Sequence, residues 1–407
     1  EQVDIYETLG DLNAGISTGM CQDITDLAAA YAPETVALIG EKWLAACSYA
    51  GELYGFPTYK PIALTPMLVY RQDIADALDL DMSQVNSAND ITAVLEAVKA
   101  AYPDMTPMAA VNTGNIGLGL TVPNVDYLTD NYFSPKGVLM NDELTVVDFY
   151  ASEAFAKVCD LARSWYLNDL VMKDAATTSS TAAELMSSGN YFAYLASYSY
   201  PEADTAASLE AQCGGYDLGA KIVSNAFLDT SSINALTWCV ASTSKVPEAA
   251  VKFLNLTFTD PAVVNLLIYG LDGRDYVLGA DGTMSYPPGQ EAATVPYTAQ
   301  LSCGTLGNFF IMYPMAGTNP ESLVWELEQN QNAKTSVAMG FTFDASSVKT
   351  EYTAVTNVIE QYLPGLLCGS VDPLTEIPIF LERLAEAGLG EIIAAKQAQL
   401  DAWVASK

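Results

Sequence analysis

Three short stretches set flat rings beside hydrogen-bonding side chains, a pairing that suits the apolar face and hydroxyl rim of a sugar. The first runs Gly55-Phe56-Pro57-Thr58-Tyr59-Lys60-Pro61 and is followed by a strand ending Tyr70-Arg71-Gln72-Asp73. Its two prolines keep it out of a helix, so Tyr59 and Lys60 can be held toward a cleft, although an ordinary loop with Tyr59 packed fits equally well. The second is Asp229-Thr230-Ser231-Ser232, ahead of a strand carrying Trp238, where the indole can be ligand platform or core. The third places Tyr194, Tyr198 and Tyr200 at one parity, hence on one face of an extended strand.

Composition narrows what those rings can serve. The chain has 407 residues, 17 Lys plus Arg, 49 Asp plus Glu and no histidine, a net charge of −32. That charge repels phosphate backbones and anionic headgroups, so neither a nucleic-acid partner nor a basic membrane face is expected. Without histidine there is no Ser-His-Asp or Cys-His relay and no HExxH zinc site. Paired carboxylates could still work on a glycosidic bond, so a glycoside hydrolase or lyase stays open, as does a surface adhesion protein. The Gly114-Asn115-Ile116-Gly117-Leu118-Gly119 run lacks the order of a phosphate-binding loop and reads as a crossover or turn. Neither a metal nor a cofactor is expected. The seven cysteines, Cys21, Cys47, Cys159, Cys213, Cys239, Cys303 and Cys368, have no ligand spacing and read mostly as small buried hydrophobes.

Half the residues are apolar and 16% charged, which fits packed lobes and not an acidic tail. Alternation of short apolar runs with amphipathic segments predicts an α/β architecture of two lobes joined by crossing strands. Strands are predicted at 64–70, 108–111, 191–196, 216–223 and 233–241, most too apolar for a solvated face. Helices are predicted over 152–167, from Pro247, from Pro261 to a stop at Gly270, over 348–362 with a break at Pro364, from Pro373 to Gly388, and over 390–403. A hairpin is predicted at Asp281-Gly282. Trp165 and Trp403 are expected inside, with Trp325 left open. No run of about 18 apolar residues occurs, and no leader or lipobox opens the chain, so the N-terminus is expected to be processed, trimmed or truncated.

These residues resemble extracellular solute-binding proteins of family 1, in the branch with a C-terminal domain of unknown function. The resemblance rests on 251–270, 340–344, 348–351, 361–364, 369–373, 395–397 and 400–403, with further matches at 54–60, 140–144 and 173–178. It implies a periplasmic-binding-protein type II fold, two α/β lobes with a hinge and an inter-lobe ligand cleft, and a C-terminal helical segment. Lobe 1 is expected to comprise 1–109 and 233–335, without its first β-α-β-α unit, and lobe 2 110–232 and 336–407. The resemblance implies no enzyme but a monomeric receptor of an ABC importer, binding a neutral oligosaccharide or other small solute for its permease subunits. It would sit on the extracellular face of the cell membrane through a lipid anchor absent from this chain. Ligand-lining residues would be Tyr59, Lys60, Tyr70, Arg71, Tyr194, Tyr198, Thr230, Ser231, Ser232 and Trp238.

Overall fold

Local signals and tertiary packing agree over most elements of the computed structural model, which describes residues 3–10, 12–130, 133–297 and 304–407. In chain order the elements that matter are β1 (Ile5–Glu7), β2 (Phe56–Pro57), β3 (Thr65–Arg71), β4 (Thr106–Met108), α1 (Glu153–Leu167), β5 (Tyr191–Tyr198) and β6 (Leu218–Ile222). They continue with α2 (Thr230–Asn234), β7 (Thr237–Val240), α3 (Pro247–Thr259), α4 (Pro261–Tyr269), α5 (Lys349–Leu367), α6 (Pro373–Glu386) and α7 (Leu389–Ala405). The expected hairpin forms between Val277–Leu278 and Met284–Ser285.

The chain divides into two compact units, 1–63 with 228–342 and 64–227 with 343–407. This differs from the expected boundaries at 109, 232 and 335. The reason is strand pairing: β3 lies between β5 and β6, both antiparallel to it, so 64–109 joins the second unit. Residues 228–232 and 336–342 stay with the first, where the Gly340 amide donates to Thr230 Oγ1 at 2.9 Å.

In the second unit a four-stranded sheet of order β4-β5-β3-β6 is covered on both faces. Alternation along β3 sends Leu68 and Tyr70 into one core and Met67 and Val69 into the other, so every residue of the strand is buried. Helix α1 is capped by Ser152 Oγ, which accepts from the Phe155 amide, and it buries Phe155, Val158, Ala162 and Trp165. The C-terminal helices α5 to α7 belong to this unit. Contrary to expectation, α5 runs through Pro364 without breaking: Val355, Ile359, Leu363 and Leu366 form one buried stripe, which outweighs a single lost hydrogen bond near the helix end.

The first unit is built on the sheet β1-β7-β2. The predicted 233–241 strand shrinks to β7, because Asp229 accepts from the Ser232 amide at 2.8 Å and starts the helical turn α2. Helices α3 and α4 meet at a 91° bend, where Asp260 caps α4. Among the described residues no single helix is long and apolar enough to cross a membrane. Six of the seven cysteines are free and buried, as expected, and Cys303 lies outside the described residues. Trp403 was expected inside; at the exposed end of α7 it is only partly covered, with Lys407 Nζ 4.8 Å from its ring centre.

Candidate functional site

The predicted site residues separate by unit. In the second unit Tyr70 and Arg71 end β3, and packing occupies both. The Tyr70 ring lies 6.0 Å from Phe192 and so close to Gly219 that a Cβ there would come within 2.4 Å of it. Arg71 forms a bidentate pair with Asp73, Nε to Oδ1 2.7 Å and Nη2 to Oδ2 2.6 Å, and its guanidinium stacks 3.6 Å from the Tyr216 ring centre. The pairing holds Asp73 below the usual carboxylate range. Tyr194 is 2% exposed and its hydroxyl lies 2.8 Å from that of the half-buried Tyr198. Burial pushes both phenols up. Tyr200 falls beyond the strand end and is exposed, so the three rings do not share one strand face.

In the first unit Tyr59 is held by its backbone: its amide donates to Gly307 O at 2.9 Å, and its carbonyl accepts from the Phe309 amide at 2.8 Å. Its ring sits 5.5 Å from both Trp43 and Phe310, and Phe310 is 5.5 Å from Phe309. Trp238 and Phe309 both border the small core of Val264, Ile268, Leu306 and Met312. The Trp238 indole N–H donates to Thr305 O at 2.6 Å, which fixes the ring while leaving it half-exposed. The result is a belt of five rings, of which Trp238, Phe309 and Phe310 are only partly covered.

Polar groups flank this belt. Glu7 on β1 is directly opposite Trp238 on β7, so both side chains leave the same face of the sheet. Glu7 Oε1 is buried with no hydrogen-bond partner among the described residues. Burial raises the Glu7 carboxyl, while the Lys60 ammonium opposes the rise; Lys60 is itself pushed down by burial. Lys60 lies over Gly304, and its carbonyl accepts from Asn330 Nδ2 at 2.7 Å. Elsewhere in this unit, at α2, Thr230 serves the backbone of Gly340 and Ser232 bonds Asp229 at 2.8 Å, whereas Ser231 Oγ is buried with no partner among the described residues. Trp43, Phe309, Phe310 and Glu7 were absent from the sequence expectation. A glutamate inside the apolar-polar run Ile5-Tyr6-Glu7-Thr8 was the one readable signal.

A raised carboxyl makes stability fall as pH rises from its ordinary value through the shifted one, because the native state then binds more protons than the unfolded chain. Glu7→Gln is therefore expected to melt above wild type at pH 7, with the gap closing below about pH 4. Thermal melts across that range test it, and an unchanged gap would disprove it.

Fixed rings beside a buried carboxyl can hold a neutral polyhydroxylated ligand by stacking and hydrogen bonds. Among the described residues no His, Cys, Asp and Glu cluster could hold a metal. Residues 337–405 match a family described as "Domain of unknown function (DUF3502)". The chain is 24% identical over 393 residues to a carbohydrate ABC transporter substrate-binding protein of Streptococcus pneumoniae, spanning 96% of this chain and 77% of that one. The crystal structure of the N-glycan transport solute binding protein NgtS from the same species superposes with a TM-score of 0.80 at 23% identity, covering 98% of this chain and 86% of that one. NgtS in complex with Man5GlcNAc superposes at 0.70 and 23% identity, covering 100% and 87%. Both relatives are named as substrate- or solute-binding proteins of transport. The chain is thus similar over nearly its whole length to a carbohydrate ABC transporter substrate-binding protein, has the type II periplasmic-binding-protein fold of the solved solute-binding proteins, and matches the DUF3502 family over its C-terminal helices.

Proposed function

We propose that this protein is a carbohydrate receptor of an ABC importer, binding a neutral oligosaccharide outside the cell and handing it intact to permease subunits. It works as a monomer held to the membrane by a lipid anchor on the precursor. The observation that carries the reading is likeness to carbohydrate-binding relatives over nearly the whole chain, together with the fixed aromatic belt. Trp238, Lys60 and Ser231 are the ligand-facing members of the first unit, joined by Glu7, Phe309 and Phe310. Tyr59, Thr230 and Ser232 of the same unit, and Tyr70, Arg71, Tyr194 and Tyr198 of the other, have polar or aromatic atoms already taken up by protein partners.

Man5GlcNAc is the first ligand to try, being bound by NgtS. At one hundred times its dissociation constant a ligand stabilises the fold by about 2.7 kcal/mol, a rise of roughly 3 °C in the melting midpoint of a chain this long. Calorimetric titration of Trp238→Ala is expected to show binding weakened about tenfold, as loss of one stacked ring would cause. Tyr70→Phe, in the packed core, leaves the affinity unchanged. Absence of a shift with every oligosaccharide of a glycan panel, alongside a shift with peptides or lipid headgroups, would overturn the proposal.

A further inference from the structure

Beneath the β1-β7-β2 sheet the first unit brings together two thiols and a phenol that carbohydrate binding does not use. Tyr6 on β1 is the register partner of Cys239 on β7, which puts both side chains on one face. Cys21 returns to the same strand two residues further on, forming an antiparallel bridge with Ala241, and the Gln22 amide donates to Val240 O at 2.9 Å. The Cys21 Sγ lies 2.9 Å from the Tyr6 hydroxyl, and the pairing of Cys21 with Ala241 sets it on the same face of the sheet as Cys239, on the adjacent diagonal. Gly15 closes over it: a Cβ there would stand 2.6 Å from the sulfur. Two cysteines 218 positions apart are thus held side by side by backbone pairing on both flanks.

We propose that Cys21 and Cys239 are a redox modification site, closing to a disulfide that staples the N-terminal segment to β7. The attacking sulfur is Cys21, whose thiol is lowered to about 7, chiefly by the Cys239 hydrogen bond. Cys239 is pushed up, first by its bond to Cys21 and then by burial, so it keeps the shared proton. The oxidant is a low-molecular-weight disulfide such as oxidised glutathione. The Cys21 thiolate attacks one of its sulfurs and expels a glutathione thiolate, leaving a mixed disulfide. The Cys239 sulfur then attacks Cys21 Sγ, expels the second glutathione, and gives its proton to that leaving group. Two protein thiols and one glutathione disulfide become one protein disulfide and two glutathione thiols.

Cys47 is the competitor. It lies against Thr237 Oγ1 at 3.4 Å on the same strand, and burial pushes its thiol up to about 12, which keeps it from opening the exchange in place of Cys21. The full chain is equilibrated in glutathione buffers from fully reduced to mostly oxidised, alkylated under native and unfolding conditions, and mapped by peptide mass spectrometry. A cross-linked Cys21–Cys239 peptide is expected at the oxidised end, with a melting midpoint several degrees higher than in the reduced chain. Cys21→Ser and Cys239→Ser lose both the cross-link and the rise. If either variant fails to fold, the wild-type peptide map still decides. Reduced Cys21 and Cys239 throughout the series, or a cross-link through Cys47, would overturn the proposal.

Discussion

Lys396→Met is expected to destabilise the second unit by about 3–5 kcal/mol, since it removes one member of a buried ion pair and strands the other. The Lys396 ammonium is completely buried and sits 2.6 Å from Asp130 Oδ2. It also donates to Gly137 O at 3.0 Å. Asp130 accepts at Oδ1 from the Tyr352 hydroxyl at 2.5 Å and at Oδ2 from the Lys136 amide at 2.5 Å. One carboxylate therefore ties Asp130 and the backbone of Lys136 to both α5 and α7. Burial pushes the Lys396 ammonium down and the Asp130 charge resists, so the cation persists only because its partners are in place. Methionine keeps most of the stem and none of the charge, and packing loss is then small beside the loss of pairing. Urea unfolding should show the midpoint falling with little change in slope. Adding Asp130→Asn to Lys396→Met should return part of the loss, because an amide is cheaper to bury than an unpaired carboxylate. A single variant within about 1 kcal/mol of wild type would mean that water reaches the pair.

Nothing in the sequence announced that network. Lys396 stands in a helical run with Ala394, Ala395 and Gln397, where a lysine reads as surface, and Asp130 is one of 49 acidic residues. Their partnership depends on how Asp130 lies against α7, a contact across 266 positions that periodicity does not encode. Elements whose limits are set by neighbours in sequence were legible. Helix α1 begins after its serine cap, and α4 runs from the residue after Asp260 to the one before Gly270. Misreadings arose where tertiary contact overrode a local rule. Pro364 stays helical because its turn is anchored by Leu363 and Leu366, and Gly114 packs against its ring.

The site was legible as composition more than as geometry. Choosing aromatics beside hydroxyls picked Trp238, which the structure leaves partly exposed, and it picked by the same rule Tyr70 and Tyr194, whose rings fill the two sides of the sheet. A strand buried on both faces has no parity that marks a ligand side, so alternation could not separate them. Phe309 and Phe310 were passed over because their role follows from the pairing of Tyr59 with the 307–309 backbone, about 250 positions away in the chain.

Trp165→Ala carries the second large effect, a loss of about 3–5 kcal/mol, which is the range for truncating a buried tryptophan. The side chain is fully buried on the inner face of α1. Its indole N–H donates to Thr92 Oγ1 at 2.9 Å, on the Ala88–Ala101 helix that places Ile91, Leu95 and Val98 in the same core. Removing the indole thus opens a cavity where two helices meet the sheet, and the surrounding close-packed side chains relax only partly into it. Loss of the hydrogen bond adds little, because Thr92 is half-exposed and water can replace the donor. Trp165→Phe keeps a ring in the space and should lose only about 1–2 kcal/mol. The ordering Ala below Phe below wild type, read by circular dichroism because the substitution removes a fluorophore, separates cavity formation from the lost bond. Equal losses in the two variants would instead assign the effect to the indole N–H and would contradict the packing argument.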